Sequence, residues 1–426
     1  MTTDPAVISF GSQHRPLPLL TEQIARIAVA DKKLHAWAYL IDADHIKLPA
    51  LESNLQGVLA GIPFGVKDVI DVAGMPTRYG SACINSAPAQ SDATCVKLLR
   101  QAGAIPIGKT TTAEFAFRKP PSTQNPNAPG HSPGGSSSGS GAAVAASMVP
   151  FALSTQTGGS IIRPAAYCGI FGFKPTFGSI PRDGLGPGCE SLDTIGWHGA
   201  SLAYVRQAAN VLLPESLHDI NGPRSLLGAR ITVAGAPPNV QLEQSVFDNL
   251  HEASRRLGDH GAVVHVQTVH EINELNKLAH AHETIMHYEL SRSLAPLVRC
   301  HDYVSQPVQD LLAAGLQISD HEYQNMLLLQ EVSRAQWHEI SQGADYILAP
   351  STVDTPPQGL HYTGSSVCNR VWTLLGWPCL HLPWGKAPSG LPIGLQLIGQ
   401  WQQDAALLSF SELVWNALQH STRRDK

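Results

Sequence analysis

Residues 155–165 read TQTGGSIIRPA, and they decide how the rest of the chain is understood. Two glycines deliver Ser160 into a β-branched, apolar run. Glycine allows backbone conformations closed to other residues, so this stretch can aim the consecutive N–H groups of Thr157, Gly158, Gly159 and Ser160 at one point. That is the arrangement of an oxyanion hole, in which each donor contributes about 3–4 kcal/mol to a transition state. A nucleophilic serine also needs a base. No histidine lies between His131 and His198, so the base has to come from elsewhere.

Bulk properties narrow the search. The 426 residues are 43% hydrophobic and 15% charged with a formal charge of −5, which points away from nucleic acid and anionic membrane as partners. The opening MTTDPAVISFGSQHRPLP has neither a basic nor an apolar leader segment, and no apolar run reaches the roughly 18–20 residues of a bilayer span. A cytoplasmic protein is expected. Seven scattered cysteines, among them Cys300, form no C-x-x-C pair, so reduced thiols are expected and a zinc site or disulfide framework is not.

Along the chain, 21–42 has helical apolar spacing, 61–74 (GIPFGVKDVIDVAG) reads as strand, and 92–103 as a capped helix ending at Gly103. AIPIGKT follows as strand. The Pro-, Gly- and Ser-rich 118–141 reads as an active-site loop running into a buried helix. Strand-like ARITVAG (229–235) and AVVHVQTV (262–269) flank a helix near 241–258, and 271–340 is mostly helical. ADYILAPST (344–352) and GLPIGLQLIG (390–399) read as late strands, and 404–419 as a closing helix. This alternation predicts one α/β domain, a central sheet covered by helices.

Three motif matches fail on context. GAIPIGKT (103–110) fits the phosphate-loop pattern, but its middle residues suit a strand and Pro106 has no N–H to offer. GSSSG (135–139) fits the nucleophile elbow with Ser137 at its centre, but the preceding NPNAPGHSP cannot be a central strand. HETIMH (282–287) sets His282 and His287 five apart, about 140° out of phase on a helix, so they share no metal face; solvated or locally paired histidines are expected.

What remains is Lys67 in an apolar strand, Ser136 in GGSSSGSGAAVA and Ser160. Strand alternation sends Lys67 and Asp68 to opposite faces. A lysine in a dry interior tends to lose its charge: moving its pKa from about 10.4 to near 7 takes roughly 3 units, about 4 kcal/mol, which burial can supply. A neutral amine is a base. The Ser136 hydroxyl, both donor and acceptor, can relay the proton, and Ser–Lys variants of the catalytic triad use the same logic.

At these residues the chain resembles the amidase signature hydrolases. GIPFGVKDVIDVAGMPT, PGGSSSGSGAAVAASMVP and TQTGGSIIRPAAYCGIFGFKPTFGSIPR are similar to the three central blocks of that family, in order. SLDTIG (191–196), ILAPST and GSSVCNRVWTLLGWPCLHLPWG extend the likeness over most of the chain, with 215–340 least distinctive. The resemblance implies Ser160 as nucleophile, Ser136 as relay next to a cis peptide bond, and Lys67 as base. The 24-residue step between the two serines fits. It further implies a single α/β domain with a mixed central sheet flanked by helices, no cofactor and no metal. The expected division is an N-terminal helical part (1–60), a catalytic core (61–215), a variable substrate-side region (216–340) and a C-terminal core (341–426).

Many members carry an acid where this chain has Gln156 and an arginine where it has Ile162; here Arg163 follows instead. That is similar to malonamidase-like members, in which this arginine holds a substrate carboxylate through a fork of N–H donors; the alternative is a structural arginine capping local carbonyls. The expected activity is hydrolysis of a small amide, carboxylate-bearing in this reading, by a homodimer. The alternatives are the glutaminase-type subunit of a tRNA-dependent amidotransferase, a carboxybiuret-type hydrolase subunit with a small partner, and a catalytically idle scaffold.

Overall fold

Late in the chain the side chains alternate between two cores, and this alternation reveals the architecture. Tyr346 and Leu348 join one apolar cluster while Ile347 and Ala349 join another; Leu380 and Leu382 go one way and Cys379 the other. Period-two alternation with both faces buried is the mark of a strand covered on both sides. The computed structural model describes residues 17–42, 57–217, 223–235, 240–267, 269–298 and 304–420. Among them eleven strands form one sheet: β1 Trp37–Leu40, β2 Pro63–Lys67, β3 Ile105–Thr110, β4 Phe151–Gln156, β5 Phe171–Lys174, β6 Thr194–Gly199, β7 Arg230–Val233, β8 Val263–Val266, β9 Tyr346–Pro350, β10 Cys379–Leu382 and β11 Leu395–Ile398. Their order is β1-β3-β2-β4-β6-β5-β10-β11-β9-β7-β8. β2 runs parallel to β3 and β4, and β7 parallel to β8 and β9, while the other neighbours are antiparallel. The chain is thus one α/β domain with a mixed sheet, as the sequence predicts.

Helices Thr94–Gln101, Leu202–Leu212, Gln244–Asp259 and Asp404–Gln419 close the first core over Phe64, Phe173, Trp197 and Phe410. Phe64 and Phe151 stack across β2 and β4 with ring centroids 5.3 Å apart, and each fully buried ring stabilises the fold by about 2–3 kcal/mol. Helices Val269–Val298 and Val367–Leu374 close the second core, around Ile285, Trp372 and Trp377. Helix Ser138–Ala145 is packed so tightly that a Cβ on Gly139 would sit 2.2 Å from the Ala36 carbonyl oxygen and 2.4 Å from the Thr111 nitrogen. Only glycine fits there.

Two elements depart from the sequence reading. The helix expected over 21–42 is Leu17–Leu34, and β1 takes its tail. His35 adopts φ 55°, in the left-handed region, and the Asp31 carboxylate accepts from the Ala36 (2.6 Å) and Trp37 (3.3 Å) N–H groups, so the chain turns out of the helix. The strand expected over 61–74 stops at Lys67, because the Val69 and Ile70 N–H groups fold back onto the Lys67 carbonyl at 2.7 and 3.0 Å. Six described cysteines are free thiols; Cys300 and the N-terminal MTTDPAVISFGSQHRP lie outside the described residues.

Lys109, the lysine of the rejected phosphate-loop match, is buried in β3 with its Nζ 3.3 Å from Asp68 Oδ1 and donating to Thr77 Oγ1 at 2.7 Å. Burial pushes Asp68 up and Lys109 down, and their mutual attraction opposes both shifts. Removing one member of such a pair strands the other charge. Lys109→Met is therefore expected to cost about 3–5 kcal/mol in urea unfolding at pH 7, with part of the loss returned by Asp68→Asn in the double variant. An unchanged unfolding midpoint in the single variant would show that the pair holds nothing.

Candidate active site

Lys67 ends β2, and the parallel neighbour β4 runs on past it to Gln156, since Val66 stands opposite Leu153. The carboxyl ends of adjacent parallel strands are where an α/β sheet opens to ligands. Lys67 Nζ lies 2.8 Å from Ser136 Oγ and donates to Thr155 Oγ1 at 2.8 Å and to the Thr155 carbonyl at 3.4 Å. All three residues are buried. Asp68 goes the other way, to Lys109, as strand alternation requires.

Burial lowers the Lys67 pKa to about 7; the Asp193 carboxylate pulls it up and the Arg163 guanidinium adds to the depression, but desolvation dominates. The contacts can serve the neutral form. Two N–H groups serve the Thr155 oxygens, which leaves the amine lone pair for the Ser136 hydroxyl.

Ser136 follows a cis Gly135–Ser136 peptide bond, and its carbonyl accepts from the Ala113 and Ser138 N–H groups at 3.0 and 2.9 Å. Ser160 lies on the wall of a cavity of about 450 Å³, with Thr155, Thr157, Gly158, Gly159 and Asp193. No hydrogen bond joins the Ser160 hydroxyl to Ser136. The structure closes the Lys67–Ser136 link and leaves the Ser136–Ser160 link open.

The loop between β4 and helix Ile162–Cys168 is fixed by its carbonyls. Thr157 O accepts from His282 Nε2 (2.7 Å), Gly158 O from Thr373 Oγ1 (2.8 Å) and Gly159 O from the Arg163 N–H (2.9 Å). The Thr157 hydroxyl donates to Asp193 Oδ1. With each carbonyl tied to a different element the peptide planes are set, and the N–H groups of Thr157, Gly158, Gly159 and Ser160 donate to none of the described residues. A side chain on Gly159 would begin 2.4 Å from Asn369 Oδ1, so any larger residue there must push the Asn369 side chain aside.

His282 corrects the expectation of a solvated or locally paired histidine. It is fully buried, and desolvation drives its pKa down to about 3. Its Nε2–H is engaged by Thr157 O, so the tautomer is fixed, while Nδ1 has no partner among the described residues. His198 is also a neutral core histidine, near pKa 4, between Ser154 Oγ (3.0 Å) and Ile161 O (2.8 Å). If His282 holds the loop, His282→Ala should lower kcat about tenfold with KM nearly unchanged, and His282→Gln, which keeps a donor, should recover much of it. Unchanged steady-state kinetics in the alanine variant would remove His282 from this role.

Arg163 makes the contacts of the structural alternative. Its Nε and one terminal nitrogen donate to Gly135 O at 3.0 and 2.6 Å, and the other terminal nitrogen donates to Gly364 O at 2.5 Å. The fork expected for a substrate carboxylate grips the backbone of two separate segments. Among the described residues no group of three or more His, Cys, Asp or Glu is placed to hold a metal ion, and no helix is long and apolar enough to cross a membrane.

Residues 19–408 match the amidase family. The chain belongs to the amidase family. A glutamyl-tRNA(Gln) amidotransferase subunit from Roseiflexus sp. (strain RS-1) is 31% identical over 94% of this chain and 92% of its own length. The corresponding protein of Akkermansia muciniphila reaches 46% identity, but over 40% of this chain and 37% of that protein. The solved structure of native peptide amidase from Stenotrophomonas maltophilia superposes with a TM-score of 0.80 at 26% identity, covering 97% of this chain and 96% of that one. The family expectation stands as an amidase-family hydrolase of C–N bonds, whereas the curated relatives named here are amidotransferase subunits rather than malonamidase-like enzymes.

Within this amidase, the Gln156 that replaces the usual acid is fully used. Its Oε1 accepts from the Ile161 (2.9 Å) and Ile162 (3.1 Å) N–H groups and its Nε2 donates to Thr373 Oγ1 (3.0 Å). A neutral carboxamide bridges this turn to helix Val367–Leu374 with no ion pair. Thr155, Asp193, His282 and Asn369 escape the sequence reading. Asp193 has a usable signal, as the acid within SLDTIG; the others reveal themselves only through contacts distant in sequence.

Proposed function

We propose that this amidase hydrolyses a small amide through an acyl-enzyme on Ser160. Neutral Lys67 takes the Ser136 proton as Ser136 takes that of Ser160, and Ser160 Oγ bonds to the amide carbon. The tetrahedral oxyanion is met by the N–H groups of Thr157, Gly158, Gly159 and Ser160. The C–N bond then breaks, the proton returns from the Lys67 ammonium through Ser136 to the leaving nitrogen, and water repeats the sequence to release the acid. The observation that carries this reading is the 2.8 Å contact between the buried Lys67 amine and Ser136, beneath a cavity wall with Ser160 and four unengaged N–H donors. In this mechanism Arg163 is a positioning residue, holding the Gly135 carbonyl next to Ser136.

An ammonia-release screen over small amides, with and without a terminal carboxylate and with Ser160→Ala as blank, tests the proposal. Release that depends on Ser160 supports it; equal release by the blank defeats it.

A second reading, glutamine hydrolysis for a partner subunit, is favoured by the names of the curated relatives. Gln156 and Ile162, in place of the acid and arginine, weigh against it. Glutamine-dependent ammonia release that requires a copurifying subunit would establish it.

A further inference from the structure

The cavity wall carries three cations, Arg118, Arg163 and Arg370, and one acid, Asp193. Asp193 is occupied, accepting from the Thr157 hydroxyl and from the Cys189 N–H at 2.8 Å. Arg163 is occupied by backbone carbonyls. Arg370 is not committed in this way: its Nε donates to Ser366 Oγ at 3.2 Å, and its only ion pair among the described residues is a 3.6 Å approach to Glu283 Oε2. Glu283 also lies 3.8 Å from Arg118. Both separations exceed the roughly 2.7–2.9 Å of a charge-assisted hydrogen bond. Glu283 is 40% exposed while Arg370 is 22% exposed, so the acid sits outward of the cation it faces.

Ser366 fixes where Arg370 stands. Its Oγ lies 3.5 Å from where a side chain on Gly158 would begin, and its Cβ 3.1 Å from the equivalent point on Gly159. The guanidinium is thereby tethered beside the same loop that carries the oxyanion donors and Ser160. An anion gripped by Arg370 while its amide carbonyl lies against that loop must have the two groups joined by few atoms.

Resting on the reading of Ser160 as nucleophile, we propose that Arg370, tethered by Ser366 and loosely countered by Glu283, binds the anionic group of a short amide substrate. Glu283 holds the place of that anion in the free enzyme and swings to solvent when substrate enters.

The test compares ω-carbamoyl acids carrying one to four methylene groups with their methyl esters, reading ammonia release. Wild type should prefer the acids. Arg370→Gln should lower the acid-to-ester ratio of kcat/KM about 100-fold, chiefly through KM, with Arg370→Lys recovering part and Glu283→Gln lowering KM for the acids. An unchanged ratio, or acid and ester falling together, overturns the proposal. Absence of hydrolysis by wild type would defeat the nucleophile reading alone. Succinate binding to the full-length Ser160→Ala protein, measured by calorimetry, still decides this point: loss in the Arg370→Gln background supports the anchor, and equal binding refutes it.

Discussion

Ser160→Ala is expected to lose about 10⁵–10⁶-fold in kcat while the protein stays folded, because the nucleophile and its relay act as one unit. The substitution removes a single oxygen with no hydrogen-bond partner among the described side chains, so no buried group is left unpaired by it. Unfolding in urea should shift by less than about 1 kcal/mol. The loop carbonyls keep their ties to His282, Thr373 and the Arg163 N–H, so the oxyanion donors remain in place and substrate should still bind. Ammonia release read against intact binding separates loss of chemistry from loss of structure. Residual turnover within tenfold of wild type would mean that another group attacks the amide.

Lys67→Met carries the second-largest effect, about 10⁴-fold in kcat/KM, the upper range for removing a general base. The pH dependence is more specific. The base is active when neutral and its pKa is near 7, so wild-type kcat/KM should rise with pH, be about 30-fold lower at pH 5.5 than on the plateau above pH 8, and show no second basic group in that limb. Burial drives His198 and His282 down to about 4 and 3, leaving both neutral across the window.

Stability follows the same shift. Folded Lys67 sheds a proton near pH 7 that the unfolded chain keeps until about 10.4. The unfolded state therefore binds more protons across that interval, and wild-type stability rises there relative to the methionine variant, by about 4 kcal/mol in all. Urea unfolding of both proteins at pH 7 and pH 10 checks the sign. Wild-type stability that falls relative to the methionine variant between pH 7 and pH 10 would contradict it.

The fold is legible where burial writes a periodic pattern. Late strands such as Tyr346–Pro350 and the helix Asp404–Gln419 stand where the apolar spacing puts them. β1 is hidden because Trp37–Leu40 continues the helical apolar spacing of 21–34, and the break at His35 is a backbone conformation that no spacing rule reports. The strand over 61–74 reads too long for a related reason: Val69 and Ile70 have strand composition but turn back on Lys67.

At the site, Lys67, Ser136 and Ser160 are readable because a lysine among valines and serines after paired glycines are locally odd. His282 and Arg370 are not. Each sits on an ordinary helix; His282 meets the Thr157–Ser160 loop, and Arg370 shares a cavity wall with it, only because the chain returns there more than a hundred residues later. Arg163 stands out in the sequence but finds a different contact, since a guanidinium's partners depend on which carbonyls the fold brings to it.

All of this rests on an uncharged amine in the dry end of β2. Titration of the Lys67 side chain by heteronuclear NMR, its signal assigned by its loss in Lys67→Met, measures that directly. A midpoint near pH 7 is expected. A midpoint near 10, the ordinary value for a solvated lysine, would contradict it.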